Sequence, residues 1–191
     1  MEGDDQFIER LRTADPLVLG DISKRYAGEL NVFCQRMVFD ASLSEDIVQD
    51  VMMRCCKADA TQLPSGSLRG WLYRVARNRC IDELRRMHPQ VRLTAAQTAR
   101  TNLPRGVIAI DKGTTPAGRA AKQDRADRVQ MVVDGMEDDL REVVIMHFFQ
   151  GLTNAEVAEA LDLSVSGAKA RLSRATRLLR DRLKSLDDSS V

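Results

Sequence analysis

The chain has 191 residues, 43% hydrophobic and 30% charged, with a formal net charge of +1 and only 4% aromatic residues. That length allows one large domain or two small ones, and the Leu, Ala, Arg, Met and Glu bias favours helix over sheet. No apolar run reaches the roughly 20 residues of a membrane span, and the acidic opening "MEGDDQFIER" is unlike a signal peptide, so a cytoplasmic protein is expected.

The near-zero net charge conceals an uneven distribution. Residues 1–97 carry 14 basic and 14 acidic side chains, 123–162 carry three and ten, and 165–184 carry seven and one. Basic residues gather in two stretches, 69–92 and 165–184. Two separated basic elements suit two contacts with one long polyanion.

The first part of the chain reads as three or four helices. "SLSEDIVQDVMMRCCKA" (42–58) opens with Ser42 and Glu45 in capping-box spacing, which predicts a helix starting there. Ile47, Val48, Val51, Met52 and Cys55 form its dry side, and Asp46, Gln49, Asp50, Met53 and Lys57 the opposite one. That acidic face suits either plain solvated surface or the docking of a partner's basic helix. In "WLYRVARNRCIDELRR" (71–86), Leu72, Tyr73, Ala76, Cys80, Leu84 and Met87 (one residue beyond) group on one side. Trp71, Arg74, Asn78, Asp82 and Arg85 group on the other. The latter set offers arginine for phosphates, asparagine for a base edge and a ring for stacking; a core tryptophan beside solvated arginines is the plainer alternative.

The stretch "RTNLPRGVIAIDKGTTPAG" (100–118) holds Pro104, Gly106, Gly113 and Pro116, which interrupt any helix, and reads as part of a linker. Thr115 and Pro116 look like the start of the next helix. Beyond it, "LTNAEVAEALDLSVSGAKARLSRATRLLR" (152–180) carries the sharpest pattern. Thr153 and Glu156 form a capping box, the helix they start ends at Leu161, and Asp162-Leu163-Ser164 make a short turn whose Ser164 caps a second helix. Val165, Ala168, Leu172, Ala175, Leu179 and Leu183 place one dry stripe on that helix, with Lys169, Ser173, Arg174, Arg177 and Arg180 away from it. This is the helix-turn-helix pattern, whose second helix can enter a major groove.

The four cysteines and two histidines are scattered, and no glycine-rich phosphate loop or nucleophile motif is present. No catalytic residues, no metal, no cofactor and no enzymatic activity are therefore expected. The fold class expected is all-α: two small helical domains, 1–97 and 116–191, joined by a flexible linker at 98–115, the second containing the helix-turn-helix.

Three segments in this order, "SEDIVQDVMMR", "LRGWLYRVARNRCIDELRR" and "GLTNAEVAEALDLSVSGAKARLSRA", resemble the extracytoplasmic-function (ECF) sigma factors of bacterial RNA polymerase, over nearly the whole chain. The resemblance implies an initiation factor that binds core polymerase, directs it to −35/−10 promoters and assists opening. It implies that Asp46, Gln49, Asp50 and Met53 meet the clamp helices of the largest subunit. It places Trp71, Arg74, Arg77, Asn78 and Arg85 on single-stranded −10 DNA. Ser166, Lys169, Ala170, Arg171, Ser173, Arg174 and Arg177 would meet duplex −35 DNA, with the flap of the second-largest subunit holding the rest of that domain. An anti-sigma partner is also implied, although no residue identifies it. Asp162 stands where the family usually has glycine, and the 57–67 loop offers no aromatic for a flipped base. The alternative is a helix-turn-helix regulator that binds duplex DNA without joining the polymerase; an α/β first domain would favour it.

Overall fold

The computed structural model describes residues 3–59, 61–64, 66–87 and 126–188. These residues are helical and contain no strand, as the all-α expectation requires and the α/β rival does not. The linker at 98–115 and the helix start at Thr115–Pro116 lie outside them.

Among the described residues, four helices form the first domain: α1 (Asp4–Arg12), α2 (Val18–Val38), α3 (Ala41–Lys57) and α4 (Leu68–Met87). The two long ones, α2 and α4, cross with α3 over a shared core. Ile22, Leu30, Phe33, Ile47, Val51, Leu68, Leu72 and Tyr73 are among its fully buried side chains. Phe33 and Tyr73 meet edge to face, with ring centroids 5.0 Å apart. Phe39, in the left-handed conformation (φ 58°), ends α2, and Asp40 at once caps α3 by accepting the Leu43 N–H (2.9 Å).

The expected cap at Ser42 is thus displaced by two residues. Asp40 sits where the chain has just turned, and its carboxylate reaches the orphan amide first. Ser44, one of the few buried polar side chains, instead bonds Asn31 Oδ1 across to α2 (2.8 Å).

Asp4 ties α1 to the start of α4. Its carboxylate accepts the Tyr26 hydroxyl (2.6 Å), the Ser67 hydroxyl (2.9 Å) and the Arg69 amide (3.0 Å). Burial pushes this carboxyl upward, but those donors and Arg25 outweigh it and hold it below its ordinary value of 3.8. A group depressed on folding adds stability above its unfolded pKa and loses it as pH falls through the folded one. Asp4→Ala is therefore expected to cost about 1–3 kcal/mol at neutral pH. The deficit should shrink toward pH 3 and below; denaturant titrations at several pH values check this.

The second domain is built from α5 (126–134), α6 (Asp138–Val144), which runs on as a π-helical turn (Ile145–Phe149), α7 (Asn154–Leu161) and α8 (Val165–Asp188). Val133, Leu140, Val143, Met146, Leu152, Val157, Ala168 and Ala175 fill its core. The π turn is closed by Gln150 N–H to Ile145 O and Leu152 N–H to Met146 O, both 3.0 Å, and His147 Nδ1 donates to the Leu152 carbonyl (2.8 Å). α7 lies against α4, so the apolar core is continuous from one domain to the other.

Candidate nucleic-acid interface

The helix-turn-helix forms as its local sequence dictates. Thr153 Oγ1 accepts the Glu156 N–H (3.2 Å) and Glu156 Oε2 accepts the Thr153 N–H (2.7 Å), the reciprocal box that starts α7. Asp162 ends α7 in the left-handed conformation (φ 55°, ψ 47°), and the Leu163 N–H turns back to the Ala158 carbonyl (2.9 Å). Ser164 then caps α8 by accepting the Gly167 N–H (3.0 Å).

Glycine adopts that conformation without strain, whereas an L side chain there costs up to roughly 1 kcal/mol, least for Asp and Asn. Asp162→Gly is expected to stabilise the second domain by about 0.5 kcal/mol, the relief being partly offset by the freer unfolded chain. Thermal unfolding of the two proteins side by side is the check.

On α8, Ala168 and Ala175 are fully buried and Leu172, Leu179 and Leu183 partly so, which fits the dry stripe. Val165 does not belong to it: as the first residue of α8 it stays 45% exposed. Ser166, Lys169, Ala170, Ser173, Arg174 and Arg177 form an exposed surface along the helix. Arg174 lies 3.6 Å from Glu137, a loose pair with both side chains more than half exposed. Arg171 differs from the others, being half-buried and turned toward Asp139 of α6 (3.9 Å).

On α3, Asp46, Gln49 and Met53 are exposed together. Asp50 is less free: its carboxylate accepts from Arg79 of α4 (2.7 Å), which also pairs with Glu83 (2.7 Å). The hydrogen bond to Asp50 is the main cause of the raised pKa of Arg79.

The polar side of α4 is the part that sequence patterning misjudges. Leu72, Tyr73, Ala76 and Cys80 are buried as expected, but Met87 at the helix end is exposed and Trp71 is only 6% exposed. The large apolar indole joins the continuous core, and no stacking face is presented. Asn78 and Arg85 remain exposed; Arg74 and Arg77 are half-buried.

Both half-buried arginines face carboxylates of the second domain. Arg77 pairs with Glu142 (2.9 Å) and Arg74 with Glu159 (3.3 Å). Burial raises the pKa of Glu142, and the Arg77 guanidinium only partly opposes it. Next to them Arg69 makes the densest set of contacts. It forks onto Glu29 (2.8 and 2.7 Å), donates to the carbonyls of Gln150 (2.6 Å) and Gly151 (3.3 Å), and lies 3.7 Å from Glu156. Tyr73 donates its hydroxyl to Gln150 Oε1 (3.2 Å), and the Arg36 guanidinium lies 4.5 Å from the centroid of the Phe149 ring.

Sequence patterning misses Arg69, Glu142 and Gly70 altogether. For Gly70 a signal existed: a glycine inside a long helix costs about 1 kcal/mol relative to alanine, so something must require it. The requirement is contact, since a Cβ there would come within 2.9 Å of Glu159 Cβ and 3.0 Å of the Glu156 carbonyl oxygen.

Among the described residues no group of His, Cys, Asp and Glu is arranged to hold a metal, and no helix is long and apolar enough to cross a membrane. Residues 22–88 match the family model of Sigma-70 region 2, and residues 126–179 that of Sigma-70 region 4. Similar proteins include the ECF RNA polymerase sigma factor SigW of Bacillus subtilis, 25% identical over 180 residues that cover 94% of this chain and 96% of SigW. The ECF RNA polymerase sigma factor SigK of Mycolicibacterium vanbaalenii is 30% identical over 148 residues, 76% of this chain and 71% of SigK. In fold the chain is similar to CnrH, solved in complex with the cytosolic domain of CnrY (TM-score 0.61, 19% identity, 96% of this chain and 99% of that one). It is likewise similar to RpoE from Bartonella quintana, solved with the anti-sigma factor NepR (TM-score 0.63, 18% identity, 88% of this chain and 98% of that one).

Proposed function

The chain belongs to the ECF RNA polymerase sigma factors, and on that premise we propose how its surfaces divide the work of initiation. The protein is a transcription initiation factor of the sigma type that acts with core RNA polymerase at promoter DNA, and the cytoplasm is where it works. Its first domain extends to residue 97 and its second begins at 116, with 98–115 as the connection. The exposed Asp46, Gln49 and Met53 of α3, with Asp50 beside them, dock on the clamp helices of the largest subunit. Arg74, Arg77, Asn78 and Arg85 of α4 hold the opened −10 strand. Trp71 supports that helix from within and does not stack on a base.

The second domain sits on the polymerase flap and places α8 in the major groove at −35. Lys169, Arg174 and Arg177 with the small Ser166, Ala170 and Ser173 form its contact row, and Arg171 braces α6. The observation that carries this reading is the exposed basic row on a capped α8, in one chain with a basic α4. Basic groups on duplex give both phosphate anchoring and base readout. An anti-sigma protein is the natural regulator, as the complexes of CnrH and RpoE illustrate for those proteins.

The test is transcription by sigma-free core polymerase on fragmented host genomic DNA, with and without the protein, sequencing the 5′ ends. Discrete new starts that share −35 and −10 elements support the reading. Duplex binding with no new starts overturns it in favour of a regulator outside the polymerase.

A further inference from the structure

The polar side chains on the exposed face of α3 are not alike. Asp46 and Gln49 make no side-chain hydrogen bond or ion pair among the described residues, whereas Asp50 is held by α4. Arg79 Nε donates to Asp50 Oδ2 at 2.7 Å, and Arg79 Nη1 lies 2.7 Å from Glu83 Oε1, one turn further along α4. The Arg79 side chain is 18% exposed and that of Asp50 45%, so one end of the pair is walled in by protein and the other is open. Asp50 Oδ1 takes no hydrogen bond among the described residues.

Attachment of α3 does not explain this half-buried arginine. Ile47, Val51 and Cys55 already seat that helix in the core, each at most 1% exposed. What Arg79 adds is direction. A free aspartate on a helix surface samples several rotamers, and ordering it at the moment of docking opposes binding. A charge-assisted bond to one oxygen fixes the rotamer beforehand and leaves the other oxygen outward. The added cation would weaken the pull of Asp50 on a basic partner, but Glu83 at the same distance balances it. Arg86, 3.0 Å from Glu83, is mostly exposed and screened by water and salt. Orientation therefore outweighs the loss of attraction.

We propose that Arg79 is a positioning residue for polymerase docking: anchored on Glu83, it holds Asp50 with one carboxylate oxygen turned outward for a lysine or arginine of the clamp helices. This rests on the reading of α3 as the docking face. Arg79 acts through Asp50 and touches no polymerase group itself.

The experiment measures the affinity of the full chain for sigma-free core polymerase tethered to a sensor surface. Arg79→Met keeps an apolar stem and removes the fork, and it is expected to weaken binding about fivefold, which is about 1 kcal/mol. Made on Asp50→Ala, the same substitution should change binding by less than about twofold, because the group it positions is already gone. On Asp46→Ala, whose site has no bond to α4, the loss of about fivefold should persist. Arg79→Lys, a point charge that still reaches Asp50, should stay within about twofold of the parent. Arg79→Gln keeps a hydrogen-bonding amide without the charge, and its cycle with Asp50→Ala decides the matter where the methionine variant does not fold. An arginine needed only for folding would lose the same factor on every background, and that result overturns the proposal, as does unchanged affinity of Arg79→Met. If Asp46→Ala weakens binding and Asp50→Ala does not, the proposal alone falls. If neither weakens it, the docking reading falls and takes the proposal with it.

Discussion

Replacing Lys169 and Arg174 together by alanine is expected to lower initiation at a promoter with its −35 element intact by about two orders of magnitude. Both side chains stand on the exposed surface of α8, one turn and more beyond the Ser164 cap. A cation reaching a base edge or phosphate in the groove is worth about 1–3 kcal/mol, so two of them together reach roughly 3 kcal/mol, near a hundredfold. Neither contributes much to folding: Arg174 pairs only loosely with Glu137 at 3.6 Å, and such exposed pairs are worth at most about 1 kcal/mol. Unfolding midpoints should therefore coincide with the parent's. Binding to a duplex −35 probe against salt gives the second readout, since each lost phosphate contact flattens the slope by about one. Wild-type initiation from the variant would remove α8 from promoter recognition. A uniform loss on all duplexes would instead assign both residues to the backbone and leave base readout to their neighbours.

The elements that were legible in the sequence are those whose determinants lie within a few residues of one another. Thr153 and Glu156 close their box because both partners sit in one turn, and Ser164 caps α8 for the same reason. The start of α3 is ambiguous in sequence because Asp40 and Ser42 both suit an N-cap, and the left-handed turn at Phe39 decides between them. Local pattern cannot foresee what arrives from elsewhere in the chain. Trp71 lies on the polar side of α4 by angle, yet it is buried as part of the core cluster. Arg74 and Arg77 read as free cations for DNA until Glu159 and Glu142, some 65 residues or more away, are placed against them. Gly70 alone announced that encounter, as an unhelpful residue in a helix that otherwise needed none.

Phe33→Ala is expected to have the largest effect on stability. Phe33 is fully buried at the crossing of α2 and α4, edge to face with Tyr73, whose own hydroxyl reaches Gln150 of the second domain. Truncation removes the ring's transfer free energy and leaves a cavity between two long helices that cannot close without shifting α4. Such changes cost about 3–5 kcal/mol, against roughly 5–15 kcal/mol for a whole domain. The first domain's melting temperature should fall by about 15 °C or more, followed by far-ultraviolet circular dichroism. Phe33→Leu keeps most of the apolar volume and loses the ring contact, so it should cost about half as much. The damage should also travel: Tyr73 is adjacent to the arginine cluster of α4, and loosening it removes the support on which Arg69 is aimed. Energy transfer between dyes on the exposed Cys56 and on Lys184→Cys should therefore decrease well below the melting midpoint in the alanine variant and stay near normal in the leucine one. Equal melting of parent and alanine variant would mean that Phe33 is not the keystone of this core, and the packing of α2 on α4 would have to be redrawn.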